Sequence, residues 1–183
     1  MESLEANKKK VTDFLQTITS PGRLNLKFKV LDQPRSTDGD TPAEISVEFS
    51  GPDVPLLLAR NGELLLSLEH LAAKVLRFEQ EDHHRISFDA DNFKVLRQEE
   101  LRLAAEAAIE RVRRTGQPYS FSPMSSRERR LLHLALAPSG LPTASSGEGP
   151  RRFVVLYPEG ETPAPEPTKD DRAKAIRQRF RRR

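Results

Sequence analysis

The sequence predicts an α+β fold: two small α/β units followed by a disordered basic tail. Three observations lead there. Apolar residues recur at the 3.6-residue helical spacing in some segments and at the two-residue strand spacing in others, and the two patterns alternate along the chain. The Ala-, Leu-, Glu- and Arg-rich run "LRQEELRLAAEAAIERVRRTG" then opens a second set of elements. The stretch "EGETPAPEPTKDD" at 159–171 ends the foldable region, because proline and like charge keep it extended. The predicted divisions are 1–95, 96–158 and 159–183.

In the first unit, Leu4, Val11, Phe14, Leu15 and Ile18 share one helical face ahead of the breaker "SPG" at 20–22. "LNLKFKVL" alternates Leu24, Leu26, Phe28 and Val30 with polar residues, as a half-buried strand does. "AEISVEFS" repeats the pattern with Ile45, Val47 and Phe49, and the two strands are expected to form a hairpin across a long mobile loop at 32–42. "PLLLARNGELLLSLEHLAAKVLRF" reads as helix, tight turn at Arg60, Asn61 and Gly62, and second helix. "RISFDA" at 85–90 closes the unit with a strand, so the order is α-β-β-α-α-β.

The second unit begins with the long helix stopped by Gly116. An extended piece, "PYSFSP", leads to the helix "SSRERRLLHLALA", for which Ser125 or Ser126 serves as N-cap. "LPTASSGEGPRRFVVLYP" supplies an extended piece, a turn and a strand at 152–157. Two helices on three strands result.

Composition narrows the function. With no cysteine among 183 residues, disulfide frameworks, thiolate catalysis and cysteine-ligated zinc are excluded. His70, His83, His84 and His133 are too few and scattered for a metal centre, so no cofactor is expected. No run approaches the ~18 apolar residues of a membrane span, and the start lacks a signal-peptide pattern, so a cytoplasmic location is expected. Charge is unevenly distributed: residues 1–95 carry 12 basic and 16 acidic groups, 96–158 carry 10 and 6, and "RAKAIRQRFRRR" at 172–183 carries seven basic and none acidic. Phosphate-bearing partners are drawn to the second half and the tail.

Within that basic half, Arg129 and His133 lie four residues apart and therefore stack on one helical face. Leu131, Leu132, Ala135 and Leu136 occupy the apolar arc, leaving the pair at its border with side chains free to point outward. A guanidinium binds phosphate bidentately or stacks on a base, and an imidazole stacks or donates a hydrogen bond. Arg127, Arg130, Arg151 and Arg152 could add long-range attraction, although a solvated face is the favoured reading of Arg127 and Arg130.

"PMSSRERRLLHLAL" followed by "TASSGEGPRRFVVLYP" resembles the R-three-H domain, named for an Arg-x-x-x-His pair that here is Arg129 and His133. With a type II KH-like unit and a long linking helix before it, the chain resembles the Jag family of bacterial proteins, also called SpoIIIJ-associated or KhpB-type, over roughly residues 5–158. The resemblance implies a non-catalytic protein that binds single-stranded RNA, with single-stranded DNA as a second ligand. It also implies a link to cell elongation, division or envelope growth, and a small KH-domain protein as a partner. Two departures from the family pattern are expected: the absence of an amino-terminal Jag domain before the KH-like unit, and an altered KH loop.

KH domains hold single-stranded backbone with a Gly-x-x-Gly turn between two helices, where phosphate approaches backbone amides. The corresponding positions here are Ala59, Arg60, Asn61 and Gly62. A methyl group at the first position restricts φ and adds bulk, so a weakened loop is expected, with a purely structural turn as the alternative. One histidine beside an arginine, with no second acid/base group or carboxylate cluster at a useful spacing, argues against a nuclease. The alternative to RNA binding is an adaptor whose acidic KH-like unit binds a protein. The tail is expected to act as an electrostatic arm, with solubilisation or a membrane surface as lesser roles.

Overall fold

The computed structural model describes residues 4–20, 24–31 and 43–161. The chain divides into two compact units, Met1–Arg97 and Gln98–Arg183. The expected loop at 32–42 and the spacer and tail from 162 onward lie outside the described residues.

The first unit contains helix α1 (Leu4–Ile18), strands β1 (Lys27–Leu31) and β2 (Ile45–Ser50), helix α2 (Val54–Val75) and strand β3 (Ile86–Ala90). β1 and β2 pair antiparallel with Phe28 opposite Phe49 and Val30 opposite Val47, which is the expected hairpin. β2 and β3 run parallel with Val47 opposite Phe88. Parallel pairing requires a crossover, and α2 supplies it. As the central strand of the order β1-β2-β3, β2 buries Ile45, Ser46, Val47 and Phe49, whereas edge strand β1 leaves Phe28 and Val30 half-buried. Val11 and Leu15 of α1, Leu57, Leu65 and Ala72 of α2 and the edge-to-face rings of Phe49 and Phe88 fill the core. β1 begins at Lys27 rather than Leu24, yet Leu26 is still buried. A short 3₁₀ segment, Gln80–Arg85, precedes β3; its polar sequence has no apolar periodicity to read.

The turn within α2 has an unusual backbone. Ala59 is extended (φ −55°, ψ 148°), and Arg60, Asn61 and Gly62 all adopt left-handed angles (φ 52°, 59° and 74°). Glycine takes this conformation freely and asparagine tolerates it, but arginine pays a steric cost there. A Cβ on Gly62 would sit 2.5 Å from the Phe93 ring, so a side chain at the last loop position would require that ring to move. The reading of Ala59 is corrected by these angles. Its φ is one that any L-residue adopts, so its methyl group imposes no backbone restriction on the turn.

Helix α3 (Phe93–Thr115) starts three residues earlier than its Ala/Leu/Glu/Arg pattern suggests, after Asp91 and Asn92 turn the chain with positive φ. Its first turn is anchored in the first unit. Lys94, 7% exposed, donates from Nζ to Glu69 Oε2 (2.5 Å) and to Ser87 Oγ (2.9 Å). Glu69 Oε2 also accepts the Phe88 amide at 2.7 Å, tying α2 to edge strand β3.

The second unit adds strand β4 (Tyr119–Ser120), helix α4 (Ser126–Leu136), strand β5 (Thr143–Ser146) and strand β6 (Phe153–Leu156). The sheet order is β4-β6-β5, with both pairings antiparallel. Ala105, Ala108 and Val112 of α3 recur at helical spacing and pack with Phe121, Leu132, Leu136, Val154 and Leu156. The fold class is therefore α+β, with four helices and two small three-stranded sheets among the described residues.

Candidate nucleic-acid interface

Local sequence fixes the start of α4. Ser125 accepts the Glu128 amide while Glu128 Oε2 accepts the Ser125 amide, a reciprocal capping box that sets where the first turn begins. With that register, Leu132 and Leu136 enter the core and Arg129 and His133 lie along one flank. Leu134 and Arg130 face solvent, and Leu131 and Ala135 are half-buried.

On β5, Thr143 and Ser145 are two apart and point to the same side of the sheet, opposite Leu156 and Val154 of β6. Because β5 is an edge strand, that side is only half covered, and the flank of α4 closes over it. His133 places Nδ1 2.8 Å from Thr143 Oγ1 and Nε2 3.1 Å from Ser145 Oγ. Arg129 donates from Nη1 to the same Ser145 oxygen at 3.2 Å and from Nη2 to Ser126 Oγ at 2.7 Å. The pair therefore does not project freely, as the helical spacing alone suggests. Both side chains are half-buried and laid over a row of hydroxyls.

This arrangement offers a planar cation, an imidazole and three hydroxyls within one hydrogen-bonded cluster. All can donate to anionic oxygen, and guanidinium and imidazole faces can also stack on bases. Ser126, Thr143 and Ser145 are the site residues that sequence reasoning misses. The signal is the hydroxyl alternation in "TASS", which reads as an undistinguished extended piece until α4 is placed above it.

The remaining expected residues are dispersed. Arg127 is half-buried, and desolvation pulls its pKa down against the opposing charge of Glu128, so a fully solvated position is corrected for this residue. Arg130 and Arg151 are exposed and Arg152 is half-buried. The turn carrying the last two depends on Gly147 (φ +89°), where a Cβ would meet the Arg151 carbonyl oxygen at 2.8 Å. Arg60, Asn61 and Gly62 belong to the first unit; Arg60 is largely exposed, with Nη1 3.7 Å from Glu63 Oε2. Among the described residues, no group of three or more His, Asp or Glu is placed to hold a metal ion. Nor is any described helix long and apolar enough to cross a membrane.

Comparison with known proteins places the second unit within a described domain family's match. Residues 99–158 match the R-three-H domain family. Over 118 residues the chain is 33% identical to the RNA-binding protein KhpB of Clostridium symbiosum, an alignment covering 64% of this chain and 53% of that protein. It is 29% identical over 115 residues to RNA-binding protein KhpB of Bacillus subtilis (strain 168), covering 61% and 55%, and 31% identical over 112 residues to that of Lactiplantibacillus plantarum, covering 61% and 35%. The chain thus spans about half or less of the length of these curated relatives. The unit that sets Arg129 and His133 over the β5 hydroxyls matches the R-three-H domain family, and the chain that carries it is similar to the KhpB proteins.

Proposed function

We propose that this chain is a non-catalytic, cytoplasmic protein that binds single-stranded RNA, with single-stranded DNA as a weaker ligand. The observation that carries the reading is the half-buried Arg129 and His133 held over Ser126, Thr143 and Ser145. Donors fixed before binding lose little conformational freedom on meeting a phosphate. Exposed Arg130 and Arg151 add attraction at longer range, as do the seven basic groups of 172–183. Arg127 and Arg152 contribute charge from half-buried positions. The names of the KhpB relatives support RNA as the ligand. Control of gene expression tied to cell elongation, division or envelope growth extends the reading by resemblance.

The first unit, read as a type II KH-like domain, has a second role as a docking surface for a protein such as a small KH-domain partner. Leu71 (49% exposed) and Val75 (41%) favour it, since they lie one turn apart on α2 and leave an apolar stripe on an acidic unit. Its Arg60, Asn61 and Gly62 turn is then a minor RNA contact.

Filter binding of total cellular RNA at a series of salt concentrations tests the main reading. The expected result is saturable retention with a linear log–log salt slope, made shallower by several units when 172–183 is deleted. Absence of retention even at low salt sinks it.

A further inference from the structure

Resting on the nucleic-acid reading above, we propose that Arg111 and Tyr119 form a second contact site in the same unit, a platform on which a base of the single strand stacks while Arg114 meets an adjoining phosphate. The guanidinium carbon of Arg111, near the end of α3, lies 5.4 Å from the centroid of the Tyr119 ring on β4. That is within reach of a cation–π contact. The ring is braced by Phe121, edge-to-face at 4.9 Å and 84°, and Phe121 is buried in the core. Arg111 is exposed and Tyr119 half-buried, so a planar cation open to water rests on a supported aromatic ring.

Its neighbours on the helix set Arg111 apart from an ordinary helix arginine. Arg102 shows the ordinary case, with Glu99 three residues before it and Glu106 four after it both in ion pairs with it. The same spacings around Arg111 hold Ala107 and Ala108 on one side and Arg114 and Thr115 on the other. No carboxylate is within helical reach of Arg111, and Arg114 adds a like charge one turn on. Glu110 lies one turn before Arg114, yet neither Arg111 nor Arg114 forms an ion pair among the described residues. Two guanidiniums one turn apart repel each other, and a bound phosphate relieves that repulsion. Arg113 is engaged elsewhere, donating from Nη2 to the Ser139 carbonyl oxygen at 3.1 Å.

These groups suit a nucleotide better than a bare anion. A guanidinium offers a flat face to a base as well as hydrogen bonds to phosphate, and a tyrosine ring adds a stacking surface that serves every base. An acidic peptide would use the two charges and leave the ring idle. The sheet register supports a strand that engages both sites. Tyr119 of β4 and Thr143 of β5 each pair with Leu156 of β6, so the two side chains leave the same face of the sheet in one row. Their backbones are two strand spacings apart, roughly 10 Å. Thr143 is the residue whose hydroxyl lies 2.8 Å from His133 Nδ1, so the row runs from one site to the other.

The chain has two tyrosines and no tryptophan, which makes the test direct. Tyr157→Phe leaves Tyr119 as the sole tyrosine. Its emission is followed while the full chain is titrated at low salt with a short oligoadenylate, with an abasic oligomer of equal length and charge, and with oligoglutamate. Only the oligoadenylate is expected to change that emission strongly. Its affinity, read by anisotropy of a labelled oligomer, is expected to fall about fivefold or more in Tyr119→Leu, Arg111→Ala and Arg111→Lys. Arg114→Ala is expected to make the log–log salt slope shallower by about one unit, and an unchanged slope removes Arg114 from the site. Because Arg111 is exposed, its variants decide the matter even if Tyr119→Leu fails to fold. Equal emission changes with the abasic oligomer or with oligoglutamate would reveal a charge site and overturn the platform, as would wild-type affinity in Arg111→Lys. If the oligoadenylate binds wild type and all variants alike, the platform fails and the RNA reading stands; if it does not bind the wild type at low salt, both fail.

Discussion

Lys94 in the first unit and Arg129 in the second are both cations withdrawn from water, and they are held in different ways. Lys94 meets the Glu69 carboxylate and the Ser87 hydroxyl, and the same carboxylate anchors the Phe88 amide of β3. Its charge is consumed in joining α3, α2 and the sheet. Arg129 hydrogen-bonds to the hydroxyls of Ser126 and Ser145, beside an imidazole that shares the second of them. The hydroxyl contacts fix the guanidinium between α4 and β5, whereas the carboxylate contact of Lys94 ties scaffold elements together, so the same kind of withdrawal orients a side chain on a candidate face in one unit and builds a scaffold in the other. The sequence places an arginine and a lysine in polar surroundings in both cases; the partner chemistry separates their roles.

The comparison is broken most severely at Lys94. Replacing it with Met leaves the Glu69 carboxylate half-enclosed without its ammonium, and removing one member of a buried pair typically costs about 3–5 kcal/mol. Urea unfolding followed by fluorescence or circular dichroism should show that loss. A cost under about 1 kcal/mol would mean that the pair is solvated and the contrast with Arg129 is false.

Arg129→Ala combined with His133→Ala comes next. The expected loss of RNA affinity is about 1–3 kcal/mol for each base engaged, measured by anisotropy at fixed salt. Because both side chains are hydrogen-bonded and half-buried, a stability cost of about 1 kcal/mol accompanies it, somewhat more than border residues on a bare helix would show. If the Tm collapses instead, the pair belongs to the scaffold, as Lys94 does.

How much of this is legible in the sequence depends on the range of each interaction. The cap of α4 is readable because Ser125 and Glu128 are three residues apart and their pattern names its own geometry. The hairpin and the helix–turn–helix are readable for the same reason, through periodicity and local breakers. Lys94 and Glu69 are 25 residues apart, and charged residues read as exposed until a fold joins them. Thr143 and Ser145 follow the same rule. Their hydroxyls matter only because an edge strand passes under α4, ten and twelve residues downstream of His133.

Gly62→Ala sharpens the other half of the comparison, the strained turn. The added methyl group would meet the Phe93 ring at 2.5 Å in a backbone already at φ +74°, so a destabilisation of about 1–3 kcal/mol is expected. Phe93→Ala alone opens a cavity, but together with Gly62→Ala it removes the clash, and the double variant should cost less than the sum of the two. Strict additivity in thermal or urea unfolding would show that the ring and the turn are not in contact.

Ala59→Gly has the smallest expected effect, and it separates two explanations of the turn. If Ala59 held the loop out of shape, glycine would release it and RNA affinity would rise. Ala59 is already extended, at φ −55° and ψ 148°, an angle pair open to every L-residue. The strain sits instead on Arg60, which the substitution leaves alone. Glycine at position 59 therefore frees nothing in the folded turn and adds freedom to the unfolded chain, costing about 0.4–1 kcal/mol of stability. RNA affinity should stay within about twofold, a change of no more than ~0.4 kcal/mol. A gain of about tenfold or more in a direct titration would show that the methyl group blocks an approaching phosphate. The turn of the first unit would then be a binding site in its own right, and the division of labour between Lys94's scaffold and Arg129's face would no longer hold.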